Sequence, residues 1–347
     1  MKAVVLTGIR QMEVVDVAEP RIRNDTDVLL KIEAVGICGS DIHYYETGRI
    51  GSEVIEYPFI LGHECAATVE AVGGKVRRVK VGERVAVEPA IVCETCDQCR
   101  AGRGNTCRNL KFLGCPGQMP GCLCEYIVMP ESCCLAIGDK ITFGQAVLCE
   151  PLAIGMYAVR KATQNLKLKT QNYGILGAGP IGLSCLLVSR VEGVRTCYVT
   201  EKVEGRIKAA KGAGATWVGN PEKEDIVAAI LKQKPDGLDV VFECAGQQET
   251  IDQAVELLKP GGKLMLIGIP CTERISLVIE QIRRKEISLI NVRRQNECTQ
   301  TCIDWISSGK IKPDFMITHR FKLEQTAEAF GMVSEYRDGV VKALIEP

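Results

Sequence analysis

Apolar residues in the first third of the chain occur in short runs that glycine and proline residues separate. Such runs predict strands, and their close spacing is typical of a compact β-rich module. The predicted strands cover residues 2–6, 28–35, 66–72, 84–88 and 125–128.

The pattern changes near Glu150, where apolar positions begin to follow a helical period over residues 151–162. From residue 173 onward, predicted strands alternate with predicted helices, as is typical of an α/β fold with a parallel, doubly wound sheet. The strands are 173–176, 196–201, 239–244, 262–267 and 286–292, and the helices are 180–191, 204–213 and 249–258. The last part of the chain loses this alternation.

Composition sets the size and the general class of the protein. The chain has 347 residues, of which 46% are hydrophobic, and it exceeds the usual size of one core, so we expect two domains. The formal net charge of +0 favours neither nucleic acid nor a membrane surface as a partner. Neither a secretory signal nor an apolar run of membrane-spanning length is apparent in the sequence. We therefore expect a cytoplasmic protein that acts on a small molecule.

A glycine-rich loop joins a predicted strand to a predicted helix and carries Gly177, Gly179, Pro180, Ile181 and Gly182. In a dinucleotide-binding loop, the first glycine makes the turn, the second lets the pyrophosphate approach and the third lets helix and strand pack closely. The helix N-terminus would supply N–H groups and a positive dipole end to the phosphates. The loop therefore predicts a dinucleotide site, with a plain glycine-rich turn as the alternative.

Glu201 ends the next predicted strand, near the spacing at which a carboxylate accepts hydrogen bonds from the adenosine ribose. A carboxylate there would repel a 2′-phosphate, so the sequence favours NAD over NADP, although Lys202 follows directly. We include Arg206, in the next predicted helix, in the same cofactor site.

The chain contains 18 cysteines, and clustered cysteines in a reducing compartment predict metal ligands. Cys93, Cys96, Cys99 and Cys107 follow the spacing C-x2-C-x2-C-x7-C. Four thiolates from one loop can close a tetrahedron around Zn²⁺ and leave no open position, so this zinc would be structural. The alternatives are a set of free thiols and a zinc ribbon that binds nucleic acid, which surroundings without a strong positive charge do not favour.

A second, candidate set of metal ligands is dispersed and consists of Cys38, His63 and Glu64, with a purely structural role of the His-Glu pair as the alternative. Three protein ligands would leave a fourth position for water or a hydroxyl substrate, as catalytic zinc requires. Adjacent residues of a strand point to opposite faces, so His63 and Glu64 reach one metal only if the backbone is irregular there. Glu64, Glu150 or water could therefore complete the shell.

The chain resembles the medium-chain, zinc-dependent alcohol dehydrogenases and, among them, the sorbitol/polyol dehydrogenase branch. The resemblance runs over nearly the whole chain and rests on residues 36–45 (GICGSDIHYY), 48–51 (GRIG), 61–64 (LGHE), 82–89 (GERVAVEP), 150–152 (EPL), 177–182 (GAGPIG) and 318–321 (THRF). It implies a GroES-like, β-rich catalytic domain at 1–152 and 293–347 and a Rossmann domain at 153–292. It also implies two zinc ions per chain, NAD as cofactor and a homo-oligomer, either a tetramer or a dimer.

The resemblance assigns catalytic roles as well. It implies Cys38, His63 and Glu64 as ligands of the catalytic zinc, with water fourth and Glu150 nearby as a further catalytic residue. It also implies a proton path from Ser40 through the nicotinamide ribose to His43. The alternative role of Ser40 is a helix cap, because a helix start is expected there.

In the polyol branch, Tyr44, Glu150 and Arg293 would contact the substrate. The implied reaction transfers a hydride from a secondary alcohol of a sorbitol-, xylitol- or L-iditol-type polyol to NAD and gives a ketose. The chain departs from the branch at Arg294, where a tyrosine is usual, and a second guanidinium could admit an anionic sugar acid or sugar phosphate. Threonine-type and galactitol 1-phosphate-type dehydrogenases are the enzymatic alternatives. A non-catalytic, zinc-stabilised nucleotide-binding protein is the remote one.

Overall fold

The computed structural model describes residues 1–163 and 171–347. The chain divides into two compact units. Unit 1 consists of Met1–Glu150 and Thr299–Pro347, and unit 2 consists of Pro151–Cys298. Among the described residues, no helix combines the length and the apolarity needed to cross a membrane.

The elements are numbered in chain order. The strands are β1 Lys2–Gly8, β2 Gln11–Asp16, β3 Asp27–Gly36, β4 Arg49–Ile50, β5 Glu53–Val54, β6 Glu64–Val72, β7 Arg84–Val87, β8 Ala90–Ile91, β9 Lys111–Phe112, β10 Tyr126–Pro130, β11 Cys134–Ala136, β12 Asn172–Leu176, β13 Thr196–Thr200, β14 Trp217–Gly219, β15 Leu238–Glu243, β16 Leu258–Leu266, β17 Ser288–Asn291, β18 Ile317–Lys322 and β19 Lys342–Glu346. The α-helices are α1 Gly39–Thr47, α2 Asp97–Arg100, α3 Phe143–Val147, α4 Cys149–Thr163, α5 Pro180–Val191, α6 Glu204–Gly212, α7 Ile226–Gln233, α8 Gln248–Leu257, α9 Ile279–Arg284, α10 Thr299–Ser307 and α11 Thr326–Ser334.

Unit 1 is built on a sheet with the strand order β11-β7-β6-β3-β19-β18, in which β10 also pairs with β3. The central strand β3 runs antiparallel to both β6 and β19. Val28, Leu30 and Ile32 alternate along β3 and are buried in the core of this unit, as expected for one face of a pleated strand. The C-terminal segment therefore returns to the sheet that the N-terminal segment begins.

Helix α1 interrupts the predicted β-rich module between β3 and β6. The apolar residues of this helix do not follow a clear helical period. Its start is defined by a polar interaction instead. Cys38 is its N-cap, and the side chain of Asp41 accepts a hydrogen bond from the Cys38 N–H at 3.0 Å. A hydrogen bond between the N-cap N–H and the side chain at the third helical position favours the start of a helix there, and it involves only neighbouring residues of the sequence.

Unit 2 contains a parallel sheet with the order β14-β13-β12-β15-β16-β17. In this order the chain starts in the middle, moves to one edge and then crosses to the other, as in doubly wound nucleotide-binding folds. Strand β16 begins at Leu258, ahead of the predicted start at residue 262. The pattern misses this extension because Pro260, Gly261 and Gly262 lie inside the strand, and such residues usually mark a turn.

Candidate functional site

Cys38, His63 and Glu64 lie together in unit 1, and each offers one ligand atom within 4.8 Å of the others. Cys38 ends the loop before α1, His63 directly precedes β6, and Glu64 is its first residue. Gly62 has a φ of 94°, so the backbone turns before the strand begins. This irregularity lets two consecutive side chains face the same point.

Asp41 orients His63. Its Oδ1 atom lies 3.4 Å from Nδ1 of His63 and accepts the Gly62 N–H at 3.3 Å, while Oδ2 accepts the Cys38 N–H. The carboxylate is buried, so it fixes the ring and leaves Nε2 of His63 for a ligand. Sequence reasoning missed Asp41, although its position in the first turn of α1 was a usable signal.

Lys342 is a second residue that sequence reasoning missed. Its ammonium group donates to Oε1 and Oε2 of Glu64 at 2.8 and 2.6 Å and to the carbonyl oxygen of Ile37 at 2.8 Å. Lys342 and Glu64 are both buried. The contact joins the last strand of the chain to the start of β6, so no local sequence signal could have found it.

Glu150 lies in the first turn of α4 and is buried, and its Oε2 atom has no hydrogen-bond partner among the described residues. Burial raises the pKa of this carboxyl to about 8, although His63 nearby lowers it. Burial opposes a positive charge on His63, yet the acidic groups of Asp41 and Cys38 outweigh it and raise the pKa of the imidazole. The acidic groups around His63 therefore favour a positive charge at this point, which a metal ion bound to the neutral imidazole would supply.

The donor set fits zinc. A cysteine sulfur, an imidazole nitrogen and a carboxylate oxygen are three donors that Zn²⁺ accepts, and they leave a fourth position open. The unpartnered oxygen of Glu150 shows that the polar requirements of this buried site are not met by protein groups alone.

Four cysteines form the other set of ligands, and their sulfur atoms all lie within 4.8 Å of one another: Cys93, Cys96, Cys99 and Cys107. The Cys96 sulfur lies 3.6 Å from that of Cys99 and 3.9 Å from that of Cys107. A backbone N–H bond from Thr95 is the first of several hydrogen bonds that lower the pKa of Cys93, to about 5, whereas burial, followed by the contact with Cys107, raises the pKa of Cys99 to about 12. Four sulfurs in this arrangement fit a closed, structural zinc site.

Ser40 and His43 lie on α1, three residues apart, and both side chains are half-buried. Residues at this spacing share one face of a helix. Cys38, rather than Ser40, is the N-cap, so the alternative role of Ser40 as a cap does not apply. Both side chains are therefore placed on the helix that Cys38 begins, and their roles in proton transfer stay predictions.

The predicted substrate contacts are divided between the two units. Tyr44 and Glu150 belong to unit 1, whereas Arg293 belongs to unit 2, where it is exposed. The hydroxyl of Tyr44 donates to Oε2 of Glu53 at 3.1 Å. Arg294 is half-buried and has a φ of 53°, a left-handed conformation that an arginine rarely adopts.

The glycine-rich loop lies between β12 and α5, as the sequence predicts. A Cβ atom at Gly182 would overlap the carbonyl oxygen of Gly177, so the close approach of helix and strand requires glycine. Gly179 is the N-cap of α5, and Pro180 and Ile181 form its first turn. A Cβ at Gly179 would lie 3.6 Å from a guanidinium nitrogen of Arg206, which places that cation beside the loop.

Glu201 directly follows β13 and is buried. Its Oε2 accepts the Ala178 N–H at 2.9 Å, and its Oε1 accepts the N–H groups of Lys202 and Val203 at 2.8 and 3.0 Å. The carboxylate thus ties the strand end to the glycine-rich loop, and its predicted contact with a ribose stays a prediction.

A cavity of about 250 Å³ lies beyond the carboxyl ends of β15, β16 and β17. Glu243, Gly268 and Asn291 are among its lining residues. Glu243 is buried and accepts the N–H groups of Ala245 and Gly246 at 2.8 and 2.7 Å. Ligands of doubly wound sheets bind at this edge, and Glu243 is a polar residue there that sequence reasoning missed.

Comparisons with known proteins identify the family. The sequence matches the alcohol dehydrogenase GroES-like domain over residues 24–139 and the zinc-binding dehydrogenase family over residues 180–308. A sorbitol dehydrogenase of Bacillus subtilis (strain 168) is 36% identical, over 100% of this chain and 97% of that protein. An L-idonate 5-dehydrogenase of Vitis vinifera is 34% identical, over 94% of this chain and 89% of that protein.

A solved structure from Escherichia coli, described as an oxidoreductase/dehydrogenase of unknown specificity involved in membrane biogenesis, has a TM-score of 0.92. It is 33% identical, and the match covers 99% of this chain and 98% of that chain. These matches confirm the predicted GroES-like and Rossmann fold class and the prediction of an alcohol or polyol dehydrogenase. Together with similar solved structures that are bound to NADP or NADH, they also confirm the predicted cofactors, zinc and a nicotinamide dinucleotide. The chain belongs to the zinc-dependent alcohol dehydrogenase family, in its sorbitol/polyol dehydrogenase branch.

Proposed function

We propose that this enzyme oxidises a secondary alcohol group of a neutral polyol, of the sorbitol, xylitol or L-iditol type, to a ketone and uses NAD as the hydride acceptor. The observation that carries the proposal is the grouping of Cys38, His63 and Glu64 beside the buried, unpartnered oxygen of Glu150. The similarity to sorbitol dehydrogenases supports a polyol as the substrate.

When bound, zinc supplies a Lewis acid toward the alcohol group, and the nicotinamide ring accepts the hydride. Cys38, His63 and Glu64 would hold the metal, and Asp41 keeps the imidazole of His63 in position. Ser40 would accept the proton of the alcohol, and His43 would exchange that proton with solvent, because an imidazole titrates near neutral pH. The four-cysteine loop would hold the second zinc and stabilise unit 1.

The choice of NAD over NADP is proposed from Glu201. A buried carboxylate beside the glycine-rich loop accepts hydrogen bonds from ribose hydroxyls and repels a 2′-phosphate. Related solved structures hold NADP in one case and NADH in another, so the fold accepts both cofactors and local residues must decide.

A sugar acid is the second candidate substrate, and Arg294 is the observation that favours it. Its half-buried guanidinium stands where the branch usually has a tyrosine, and it could pair with a carboxylate. A relative of similar identity is named for L-idonate, which is an anionic substrate.

The test is a panel of substrates with NAD⁺, followed by absorbance of the reduced cofactor. Sorbitol, xylitol, L-iditol, L-idonate, galactitol 1-phosphate, threonine and propan-2-ol would be compared by kcat/KM. We expect a neutral polyol to give the highest value. A higher value for an anion that disappears in Arg294→Tyr would establish the second candidate, and a higher value for threonine would overturn both.

A further inference from the structure

The hydroxyl of Tyr44 belongs to a polar cluster that the proposed chemistry does not use. Oε2 of Glu53 accepts the Tyr44 hydroxyl at 3.1 Å, and Oε1 of Glu53 accepts the Gln118 amide at 3.3 Å. The Tyr44 hydroxyl also lies 4.0 Å from the sulfur of Cys115. Tyr44 and Cys115 are buried, whereas Glu53 and Gln118 are half-buried and form the outer part of the cluster.

The cluster has spare capacity to accept hydrogen bonds. Within the described ranges, Oε1 of Gln118 is buried and has no partner. A carboxylate has about four acceptor positions, and these contacts use two of those on Glu53. An unpaired buried acceptor costs free energy until a donor reaches it, so the cluster is suited to a ligand that donates.

The same segments that build the cluster also pack on the metal ligands. The ring of Phe112 lies 5.3 Å from the ring of His63, and a Cβ at Gly114 would come within 2.6 Å of the Gly62 carbonyl oxygen. Phe112 and Gly114 lead directly to Cys115 and Gln118. The cluster is therefore attached to the His63 side of the candidate zinc site.

Helix α1 connects the two groups from the other direction. Cys38 caps this helix and Tyr44 is its sixth residue, so about 9 Å separates them along the axis. Side chains of a helix lean toward its N-terminus, which brings the Tyr44 hydroxyl nearer to Cys38. An extended polyol with one hydroxyl at the candidate zinc site has the length to reach the cluster with its remaining hydroxyls.

We propose that Glu53 and Gln118 are specificity-determining residues, and that with Tyr44 they form a subsite for the polyol hydroxyls remote from the reacting carbon. The subsite presents acceptors and a carboxylate, so it takes hydroxyl donors and disfavours a carboxylate or phosphate on the substrate. This inference rests on the proposed polyol activity and adds the residues that choose among polyols.

The experiment compares sorbitol with butane-2,3-diol, which has vicinal secondary alcohols but none of the remote hydroxyls. In Glu53→Leu we expect kcat/KM for sorbitol to fall at least about tenfold, since one well-formed hydrogen bond to a charged group has that effect. For butane-2,3-diol it should stay within about threefold of wild type. A structural defect would lower both values equally, so their ratio reports on recognition.

Glu53→Gln tests the charge separately and keeps the shape. It should raise kcat/KM for L-idonate relative to sorbitol by about tenfold, because the repulsion of the anion is removed. Glu56→Gln, an exposed residue of the same segment, is the matched control and should leave both ratios unchanged. Zinc content and melting temperature would be recorded for every variant, and Glu53→Gln decides alone if Glu53→Leu does not fold.

The two proposals fail in different ways. A wild-type protein that oxidises no polyol overturns the proposed function and the subsite with it. A wild-type protein active on polyols, with substrate ratios that stay the same in Glu53→Leu and Glu53→Gln, overturns the subsite alone.

Discussion

Lys342 and Glu64 form a buried ion pair in which the ammonium group contacts both carboxylate oxygens, at 2.8 and 2.6 Å, across 278 residues of sequence. Each side chain is only 1% exposed. Because Glu64 is also a candidate zinc ligand, the pair links the position of the ligand to the attachment of the C-terminal strand. Removing one partner of such a pair leaves an uncompensated buried charge.

Lys342→Met should therefore destabilise the protein by about 3–5 kcal/mol, as measured by urea unfolding. It should also weaken zinc binding about 10–100-fold in competition with a chelator, because Glu64 loses the group that orients it. Lys342→Arg keeps the charge and should lose less on both measures. Wild-type zinc affinity in a folded Lys342→Met protein would contradict the orienting role.

Cys96→Ser should separate the two metal sites. We expect one zinc per chain instead of two by elemental analysis, because the four-sulfur set loses a ligand. The melting temperature should fall by about 5 °C or more, since 1 kcal/mol corresponds to roughly 2–4 °C in domains of this size. Cys38→Ser should also retain one zinc, with turnover lost and the melting temperature close to that of wild type. The reverse pattern would mean that the two roles are assigned wrongly.

Glu201→Ala should narrow the preference for NAD⁺. The substitution removes the proposed ribose acceptor and the repulsion of a 2′-phosphate, so kcat/KM for NAD⁺ should fall and the value for NADP⁺ should rise relative to it. The ratio of the two values is the measurement, and Glu201→Asp, which keeps the charge, is the control. A wild-type enzyme that prefers NADP⁺ would show that the role given to Glu201 is wrong.

Glu131 predicts a dependence of stability on pH that is independent of the metal sites. Its Oε2 accepts the backbone N–H groups of Arg77 and Arg78 at 2.7 and 2.8 Å, and these bonds hold the pKa of the carboxyl below its usual value. A carboxyl group whose pKa is lower in the folded state stabilises the folded protein at pH values above its ordinary pKa of about 4.3. This contribution disappears as the pH falls through the pKa that the group has in the folded state.

Glu131→Gln should therefore melt below wild type at pH 7, and the difference should shrink as the pH falls below about 4. Melting temperatures of both proteins between pH 7 and pH 3.5 provide the comparison. Glu19→Gln, at an exposed position, controls for the loss of one acidic side chain. A difference that stays constant or grows toward low pH would contradict the assignment.

The features that the sequence predicted well depend on residues close together in the chain. The glycine-rich loop, the spacing of the four cysteines and the alternation of strands and helices each involve short segments whose geometry is nearly determined by residue type. The predicted fold class and family are confirmed for this reason. The predicted domain limits and the roles of Ser40, His43 and Arg293 stay predictions.

Tertiary structure alone decided which distant residues contact one another near the candidate site. Lys342 contacts Glu64, and Glu53 contacts both the Tyr44 hydroxyl and the Gln118 amide, because strands and turns far apart in the chain pack together. From the sequence alone, a lysine or glutamate on a short strand would be predicted to be a solvent-exposed charge, because its ion-pair or hydrogen-bond partner lies at no fixed spacing along the chain. The sequence by itself determined the type of chemistry through local motifs. Packing determined which charges are buried in pairs, because burial depends on contacts that no local pattern records.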